Sequence, residues 1–345
     1  MTGKNPAREL KSLLNRLADG ETLDEDATMA ALDLLMSGIA PPVAMGAFLM
    51  ALRVRGETID EITGAARFLR SRMTTVDAPQ GAIDIVGTGG DSRGTYNVST
   101  AAAFVAAGAG AIVAKHGNRA VTSLSGASDV LAALGVKLDV PPVVVARAIA
   151  DAGVGFLWAP LYHPAMKNWA PIRSDLGLRT LFNVLGPLCN PGGVKRQVLG
   201  VYSPKLVRPL AEVLRKLGTK RAWVVHGADG MDELTTTGAT HVAELHDGDI
   251  TMFEVTPEDT GLTRVDIAAL KGGEASDNAA ALRALLHGEP GPYRDIVVLN
   301  AAAALIVAGI ADGLEDGIAR AQQAIDSGKA ARALDRLVFV TNEAA

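Results

Sequence analysis

Hydrophobic positions in the first 73 residues recur with the period of an α-helix. The leucines between Leu10 and Leu17 lie on one helical face, and this run stops at Gly20. Another helix is predicted to begin after Pro41–Pro42 and to end at Gly56, because proline favours helix starts and glycine favours helix ends. This helix, VAMGAFLMALRV, is apolar on most faces. We therefore expect another layer or a subunit interface to cover it.

Two stretches in the same region, Thr22–Glu25 (TLDE) and Thr58–Glu61 (TIDE), have the S/T-x-x-E form of a capping box. In this motif the first side chain and the last side chain satisfy each other's backbone N–H groups at a helix start. We expect a helix N-terminus at each. Together these patterns predict a small all-helical N-terminal domain over residues 1–73.

The pattern changes at residue 83. Short runs rich in Val and Ile (IDIV, AIVAKH, QVLGVY, RAWVVH and HVAEL) are separated by alanine-rich helical runs, such as residues 100–109 and 128–134. This alternation predicts a larger α/β domain with a mainly parallel central sheet flanked by helices, over residues 74–162 and 188–345. The Pro- and Arg-rich segment 163–187 lacks strand character. We expect it to fold back onto the helical domain and to leave a cleft between the two domains.

Composition and charge narrow the functional class. The chain has 345 residues, of which 48% are hydrophobic and 21% charged, and a net charge of −5. It has no basic tail, which disfavours binding to nucleic acid or to a membrane surface. The apolar runs Thr100–Ala114 and Ile296–Ala311 are shorter than the roughly 20 residues of a membrane span.

The N-terminus lacks the apolar core of a secretory signal. A single cysteine, Cys189, excludes an internal disulfide and fits a reducing compartment. We expect a cytoplasmic protein.

Unusual residues follow three predicted strands. The first loop is Gly87–Thr100 (GTGGDSRGTYNVST), the second is Lys115–Asp129 (KHGNRAVTSLSGASD) and the third is His226–Gly238 (HGADGMDELTTTG). Ligands in open α/β sheets bind outside the carboxyl ends of the strands. We therefore expect these three loops to meet in one site.

The first loop combines glycines with polar residues at a predicted helix start. Glycines let backbone N–H groups approach an anion, and Asn97, Ser99 and Thr100 lie where the helix begins. The alternative is an ordinary strand-to-helix turn. Ser92 breaks the G-x-G-x-x-G spacing, and no G-K-[ST] follows, so neither common nucleotide motif is present.

The second and third loops bring charges of opposite sign. Lys115, His116 and Arg119 offer positive charge, although a solvated turn with His116 bonded to backbone is the alternative. Asp232 and Glu233 could cap a following helix. Opposite the Ser99 hydroxyl they would also suit Mg²⁺, which prefers oxygen ligands and bridges to substrate phosphates. The three loops together predict a polyphosphate site.

The same residues carry a family resemblance. The stretches DIVGTGGD, NVST, KHGNRAV, HPAMKNWAPIRSDLGLRTLFNVLGPLCNP and GADGMDEL resemble anthranilate phosphoribosyltransferase, and the likeness runs from about residue 8 to about residue 338. The resemblance implies transfer of the phosphoribosyl group of PRPP (5-phosphoribosyl 1-diphosphate) to anthranilate in tryptophan biosynthesis. It also implies a homodimer, which we expect to form through the N-terminal helical domain.

The resemblance assigns three groups of residues. The metal site, with Mg²⁺ as cofactor, comprises Ser99, Asp232 and Glu233. Anthranilate would meet Gly87, Asn118 and Arg173. PRPP would be bound by residues of the first two loops: Gly87, Gly90, Asp91, Thr95, Asn97, Val98, Ser99, Thr100, Lys115, His116, Gly117, Asn118, Arg119, Ala120, Val121, Thr122, Ser123 and Ala127.

Arg173 has support of its own. It follows Pro171 near the start of a predicted short helix, where the helix dipole disfavours a cation by about 0.3–1 kcal/mol. A surface arginine is the alternative, but a bidentate carboxylate ligand would explain the placement.

We see no Ser-His-Asp or Cys-His arrangement in the sequence. We therefore expect no residue to act as a nucleophile.

Two other functions remain open. Pyrimidine nucleoside phosphorylases share GTGGD and KHGNR, but the HPAM block is specific to the transferase. The other alternative is a non-catalytic, nucleic-acid-binding relative of the same fold. This chain also departs from the transferase pattern, because Leu124 stands where many members have Lys or Arg and Ala127 where many have a hydroxyl.

Overall fold

The computed structural model describes residues 6–119 and 124–343. Its first half contains helices α1 (Pro6–Ala18), α2 (Glu25–Met36), α3 (Pro42–Arg55) and α4 (Ile59–Arg72), strand β1 (Ile83–Gly87), α5 (Val98–Gly108), β2 (Val113–Gly117), α6 (Ala127–Ala133), α7 (Pro142–Ala152), β3 (Val154–Trp158), α8 (Ala159–Tyr162), α9 (Ala170–Leu176) and α10 (Phe182–Leu188).

The second half contains β4 (Arg196–Gly200), α11 (Val207–Lys216), β5 (Arg221–Gly227), β6 (Thr240–His246), β7 (Asp249–Val255), α12 (Ala275–Leu286), α13 (Pro292–Ala308), α14 (Leu314–Asp326) and α15 (Lys329–Glu343). Short 3₁₀ helices lie at Pro164–Asn168, Pro204–Leu206, Glu258–Thr260 and Ile267–Leu270. Contacts divide the described chain into two compact units. The helical unit comprises the residues up to Thr74 with Pro160–Cys189, and the α/β unit comprises Thr75–Ala159 with the residues from Asn190 onward.

The helix starts of the helical unit differ from one another. The capping box at Thr58 is confirmed, because the Thr58 side chain accepts from the Glu61 N–H and the Glu61 carboxylate accepts from the Thr58 N–H. The box expected at Thr22–Glu25 is wrong. Asp24 is the N-cap there, and its carboxylate accepts from the Ala27 N–H at 2.8 Å. The helix thus begins two residues later than expected, and Asp24 satisfies the Ala27 N–H, whereas Thr22 was expected to reach the Glu25 N–H.

The second segment of the helical unit, which contains α9 and α10, packs on its first segment. The Arg70 side chain of α4 donates to the Leu188 carbonyl of α10 at 2.7 Å, and the Cys189 thiol lies 3.7 Å from the Ala66 carbonyl. Burial raises the pKa of Cys189 to about 12. This thiol therefore stays protonated at neutral pH.

The α/β unit is built on a seven-stranded sheet with the order β3-β2-β1-β4-β5-β6-β7. The first five strands in this order are parallel, and β6 and β7 add an antiparallel hairpin beside β5. The expectation of a mainly parallel sheet is confirmed. Strands β3 and β7 were not among the predicted strands. Most residues of β7 are exposed in the structure.

Helices cover this sheet. Helix α5 contacts β1 to β3, α13 contacts β1, β4 and β5, and α11 contacts β5 and β6. The sequence placed α5 and α6 at residues 100–109 and 128–134, and the structure begins them two residues and one residue earlier. None of the helices in residues 6–119 and 124–343 is both long and apolar enough to cross a membrane.

Candidate functional site at the carboxyl end of the sheet

The first, second and third loops meet outside the carboxyl ends of β1, β2 and β5. The Gly89 N–H donates to Oδ2 of Asp232 at 2.7 Å, so the first loop contacts the third. The Ser99 N–H, at the start of α5, donates to Oε1 of Glu233 at 3.2 Å. Lys115, from β2, donates through Nζ to Oγ of Ser99 at 3.3 Å. These bonds place polar groups of all three loops within one cluster.

Two glycines let the third loop reach the first. A Cβ built on Gly87 would overlap the Asp232 carboxylate, and a Cβ built on Gly200 would overlap the Asp232 backbone carbonyl. Gly200 ends β4, which lies between β1 and β5. The third loop therefore crosses β4 over a surface without side chains. Sequence reasoning missed Gly200, although a glycine within the run QVLGVY is a signal of close backbone approach.

Side-chain hydrogen bonds hold the third loop in place. Asn300 of α13 accepts from the Leu234 N–H at 3.1 Å and donates to the Leu234 carbonyl at 2.8 Å. The Asp229 carboxylate accepts from the hydroxyls of Thr235 and Thr237, both at 2.6 Å. No helix follows Asp232 and Glu233, so the alternative that they cap one is excluded. Asn300 and Asp229 carry no signal in the sequence, because their roles depend on contacts far along the chain or within an irregular loop.

The carboxylates of this site are unfavourably placed for carrying negative charge. Burial, followed by the neighbouring Asp91, raises the pKa of Asp232 to about 7. Burial and then Asp232 raise the pKa of Glu233 to about 8. Burial is also the main cause of the raised pKa of Asp91. A bound cation would relieve both the desolvation and the mutual repulsion.

Lys115 lies below the loops rather than in solvent. It is 3% exposed, and its ammonium group donates to the Ile85 carbonyl of the neighbouring strand as well as to Ser99. Burial lowers its pKa, while Asp84 and Glu233 raise it. The Lys115 side chain therefore lies inside the unit beneath Asp232 and Glu233, not at its exposed surface.

His116 is buried in the same strand. Its backbone N–H donates to Oδ1 of Asp84 at 3.0 Å, and Asn190 donates to Oδ2 of Asp84 at 2.7 Å. Gly117 has its Cα against the Phe156 ring, where a side chain would not fit without a shift. These residues shape the base of the second loop.

The remainder of the second loop is more exposed. Asn118 and Arg119 are exposed, and the Arg119 guanidinium lies 5.8 Å from the centre of the Trp158 ring. Ala127, the first residue of α6, is half-buried. Ala120, Val121, Thr122 and Ser123 lie outside the described residues.

The first loop contributes one turn and one helix start. Its turn has Gly90 and Ser92 in the left-handed region, with φ of 77° and 59°, and Oδ1 of Asp91 accepts from the Arg93 N–H at 3.2 Å. Thr95 pairs with Lys271 in an isolated antiparallel bridge.

At the start of α5, Asn97 is the N-cap residue without a side-chain cap bond. Its side chain instead donates to the Ser125 carbonyl at 3.3 Å. Val98 and Thr100 are buried, and the Thr100 hydroxyl has no hydrogen-bond partner among the described residues. Ser99, which lies between Val98 and Thr100, bonds through its N–H to Glu233 and through its hydroxyl to Lys115.

Arg173 belongs to the helical unit, and its position corrects one step of the sequence argument. Helix α9 has 7 residues and Arg173 is in its last turn, where the helix dipole favours a cation. The dipole therefore gives no reason to expect a carboxylate ligand. The Arg173 guanidinium lies 5.6 Å from the centre of the Phe182 ring, which packs on Trp169 at 4.8 Å.

The donors of Arg173 are nevertheless uncommitted. Arg173 forms no ion pair with any residue in the part of the chain that the structure describes. Burial lowers its pKa. A half-buried guanidinium without a carboxylate partner can bind an anionic ligand through its fork of N–H groups.

Metal ligands are limited to few side chains. Within residues 6–119 and 124–343, no three His, Cys, Asp or Glu side chains are grouped so that they could hold a metal ion. Mg²⁺ is commonly bound by one or two carboxylates that act together with substrate phosphates. The adjacent Asp232 and Glu233 fit this mode of binding.

Comparison with known proteins gives a consistent result along the chain. Residues 79–331 match the α/β domain of a glycosyl transferase family, and residues 11–73 match that family's helical bundle domain. The anthranilate phosphoribosyltransferase of Rhodopseudomonas palustris (strain BisA53) is 58% identical over 97% of this chain and 99% of its own. The chain belongs to the anthranilate phosphoribosyltransferase family.

Solved structures of anthranilate phosphoribosyltransferases share this fold. The enzyme from Thermus thermophilus is 44% identical, with a TM-score of 0.90 over 95% of this chain and 99% of its own. The Saccharomyces cerevisiae enzyme in complex with PRPP and Mg is 30% identical, with a TM-score of 0.89 over 97% of this chain and 98% of its own. The same yeast enzyme in complex with 4-fluoroanthranilate is 28% identical, with a TM-score of 0.88 over 98% and 99% of the two chains.

Proposed function

We propose that this protein transfers the 5-phosphoribosyl group of PRPP to the amine of anthranilate, which gives N-(5-phosphoribosyl)anthranilate and pyrophosphate. This reaction is a step of tryptophan biosynthesis. The observation that carries the proposal is the contact of Asp232 and Glu233 with backbone N–H groups of the first loop. It combines cation ligands and anion donors in one site, as a magnesium-bound diphosphate requires. Membership of the family supports the same substrates.

Magnesium is the cofactor that these residues fit. Two yeast structures of the family are described with Mg bound. In this chain Asp232 and Glu233 would hold the ion, with the Ser99 hydroxyl as a third oxygen ligand. When bound, the ion neutralises charge that develops on the departing pyrophosphate. The raised pKa values of the two carboxylates support the assignment, because a cation is the partner that their ionised forms lack.

The diphosphate of PRPP would take the donors of the first two loops. The N–H groups of Gly89 and Ser99 now donate to the two carboxylates. The Glu233 carboxylate thus lies at the N-terminus of α5, where the free backbone N–H groups of a helix favour a negatively charged group. A cation that draws the carboxylates toward itself would leave these N–H groups for phosphate oxygens. Asn97, Asn118 and Arg119 would add side-chain donors, and the predicted contacts of Ala120, Val121, Thr122 and Ser123 with PRPP belong to the same proposal.

Arg173 is the residue that we assign to the carboxylate of anthranilate. Its guanidinium has no carboxylate partner in the described chain and is supported on the Phe182 ring. The predicted contacts of Gly87 and Asn118 with anthranilate belong to the same proposal.

Catalysis in this site requires no nucleophile from the protein. An aromatic amine is largely unprotonated at neutral pH, so it can attack the ribose carbon directly once it is positioned. The protein then contributes orientation of the two substrates and donors for the leaving group. A trapped ribosyl–enzyme adduct would contradict this mechanism.

We also propose that the protein is a cytoplasmic homodimer. On helix α3 the side chains of Val43 and Val54 are 84% and 81% exposed, and Ile39 before this helix is 61% exposed. An apolar surface of this kind favours a subunit contact through the helical unit. Analytical ultracentrifugation that shows only monomer would remove this part of the proposal.

One assay tests the reaction. Anthranilate is fluorescent, and its fluorescence should fall when PRPP and Mg²⁺ are added to the protein. Arsenolysis of thymidine or uridine tests the pyrimidine nucleoside phosphorylase alternative in parallel. Loss of fluorescence without arsenolysis supports the transferase. Arsenolysis without loss of fluorescence contradicts it.

A further inference from the structure

Asn278 joins three segments of the α/β unit. It lies in the first turn of α12 and is 1% exposed. Its Nδ2 donates to Oδ1 of Asn97 at 3.0 Å and to Oγ of Ser125 at 2.8 Å, and its Oδ1 accepts from the Gly273 N–H at 2.8 Å. Its side-chain amide therefore bonds both to the start of α5 and to the end of the second loop.

The donor and acceptor atoms in the hydrogen bonds of Asn278 fix the orientation of the neighbouring Asn97 amide. The Gly273 N–H can only donate, so Oδ1 of Asn278 must face it and Nδ2 must face the other two partners. Oδ1 of Asn97 then faces Asn278, which turns Nδ2 of Asn97 toward the Ser125 carbonyl, where it donates at 3.3 Å. The orientation of the Asn97 amide is thus set by Asn278.

The turn before Asn278 follows the first loop. The Tyr96 N–H donates to the Leu270 carbonyl at 3.0 Å, and the Gly272 N–H donates to the Gly94 carbonyl at 2.9 Å. A Cβ on Gly272 would lie 2.8 Å from the Thr95 carbonyl oxygen, so the two backbones approach more closely than any side chain allows. Asn278 fixes the end of this contact to the α5 start.

We propose that Asn278 is a positioning residue for PRPP binding. It holds the Asn97 amide and Ser125 so that the N-terminus of α5 and the second loop present their donors in one arrangement. Because Asn278 is 1% exposed, we expect it to act through these two partners and not by contact with PRPP. The inference rests on the proposed function, because it takes the PRPP site to lie where the first and second loops meet.

Steady-state kinetics with PRPP, Mg²⁺ and anthranilate test the proposal. Asn278→Ala removes all three bonds, and Asn278→Asp keeps the acceptor for Gly273 but loses both donors. We expect either variant to raise the KM for PRPP about tenfold, because the buried partners lose their bonds and Asn97 can reorient. The KM for anthranilate should change by less than about twofold.

A second measurement separates positioning from stability. If Asn278 acts through Asn97 and Ser125, adding Asn278→Ala to the double variant Asn97→Ala with Ser125→Ala should not weaken PRPP binding further. Thr341→Val is the matched control, because it removes a buried hydroxyl bonded within α15. It should leave both KM values unchanged. If Asn278→Ala fails to fold, Ser125→Ala removes one bond of the same network and should raise the KM for PRPP in the same direction.

The outcomes distinguish the inference from the proposed function. Wild-type protein without PRPP-dependent turnover overturns both. Wild-type turnover together with an unchanged KM for PRPP in the variants overturns the inference alone. Equal increases in the KM values of both substrates, or a further loss of PRPP binding when Asn278→Ala is added to Asn97→Ala with Ser125→Ala, also overturn it.

Discussion

Gly87 and Asp232 approach each other so closely that no side chain fits between them. A Cβ on Gly87 would overlap the Asp232 carboxylate, whose Oδ2 accepts from the Gly89 N–H at 2.7 Å two residues further along. The end of β1 and the third loop are therefore complementary in shape and in hydrogen bonding. Gly87 was assigned to substrate contact by resemblance, and the structure also places it against Asp232, the residue that we propose as a metal ligand.

Gly87→Ala should therefore displace Asp232. A shift of about 1 Å in a catalytic group can reduce activity about 100-fold, and we expect a loss of that order in kcat/KM. The overlap should also cost about 1–3 kcal/mol of unfolding free energy. Kinetics and urea denaturation measure the two effects. Gly313→Ala is the control, since a Cβ there has no atom within 4 Å. Full activity of Gly87→Ala would contradict the role of this contact.

The site illustrates how much a sequence can reveal. Loops after β1, β2 and β5 were expected to meet because carboxyl ends of parallel strands share one edge, and the bonds of Asp232, Glu233 and Lys115 show that they do. Periodicity and the order of strands suffice for that prediction. The direction of a side chain is harder to predict. Lys115 was expected to offer positive charge to the ligand, but its side chain is buried and bonded to the Ile85 carbonyl and to Ser99.

Other features have no local signal. Asn278 and Asn300 act on loops that lie 181 and 66 residues away in sequence. A buried asparagine in an alanine-rich helix has no distinguishing pattern until the tertiary contacts are known. The helix-dipole argument for Arg173 was wrong for another reason. The short helix α9 ends only one turn after Arg173, and the helix dipole changes sign between the two ends of a helix. Helix boundaries are the least certain part of a sequence prediction.

The carboxylate pair should make activity dependent on both Mg²⁺ and pH. Asp232→Asn or Glu233→Gln should raise the Mg²⁺ concentration for half-maximal activity at least about tenfold. In the wild type, protons compete with the ion because the pKa values are raised to about 7 and about 8. Rising pH ionises both groups, so the Mg²⁺ requirement should fall between about pH 6 and about pH 9 and then level off.

Mg²⁺ titrations of wild type and both variants at several pH values check this prediction. Asp316→Asn serves as the control, because Asp316 is a surface residue paired with Arg320 in α14. An identical Mg²⁺ profile in the wild type and in both site variants would clear Asp232 and Glu233 of metal binding.

Arg173 should affect one substrate only. Arg173→Ala removes a charge-assisted, bidentate donor to a carboxylate, worth about 1.5–3 kcal/mol, so the KM for anthranilate should rise at least about tenfold. The KM for PRPP should stay nearly constant. Arg173→Lys should recover part of the effect, because lysine keeps the charge but loses the fork.

Steady-state kinetics with each substrate varied in turn measure the two KM values. Arg67→Ala is a control in the same unit, where Arg67 pairs with Glu25 at 2.7 Å near the surface. The opposite pattern, with PRPP affected and anthranilate not, would move Arg173 out of the acceptor site.

His163 should make the stability of the protein sensitive to acid. Burial lowers the pKa of His163 to about 4, whereas the unfolded chain titrates near pH 6.5. Below pH 6.5 the unfolded chain therefore binds a proton that the folded protein does not. The contribution of this neutral histidine is fully present above pH 6.5 and is lost as the pH falls toward 4, by up to a few kcal/mol.

Comparing the wild type with a variant isolates the effect of His163 on the pH dependence of the unfolding free energy. Asp84, whose pKa burial raises to about 6, has the opposite effect on stability but is common to wild type and variant. Urea denaturation of wild type and His163→Asn at about pH 7.5, 6 and 5 should therefore show a shallower loss of unfolding free energy in the variant. His287→Asn, at an exposed position, should follow the wild type. Equal pH slopes in wild type and His163→Asn would mean that His163 is protonated in the folded protein as readily as in the unfolded chain.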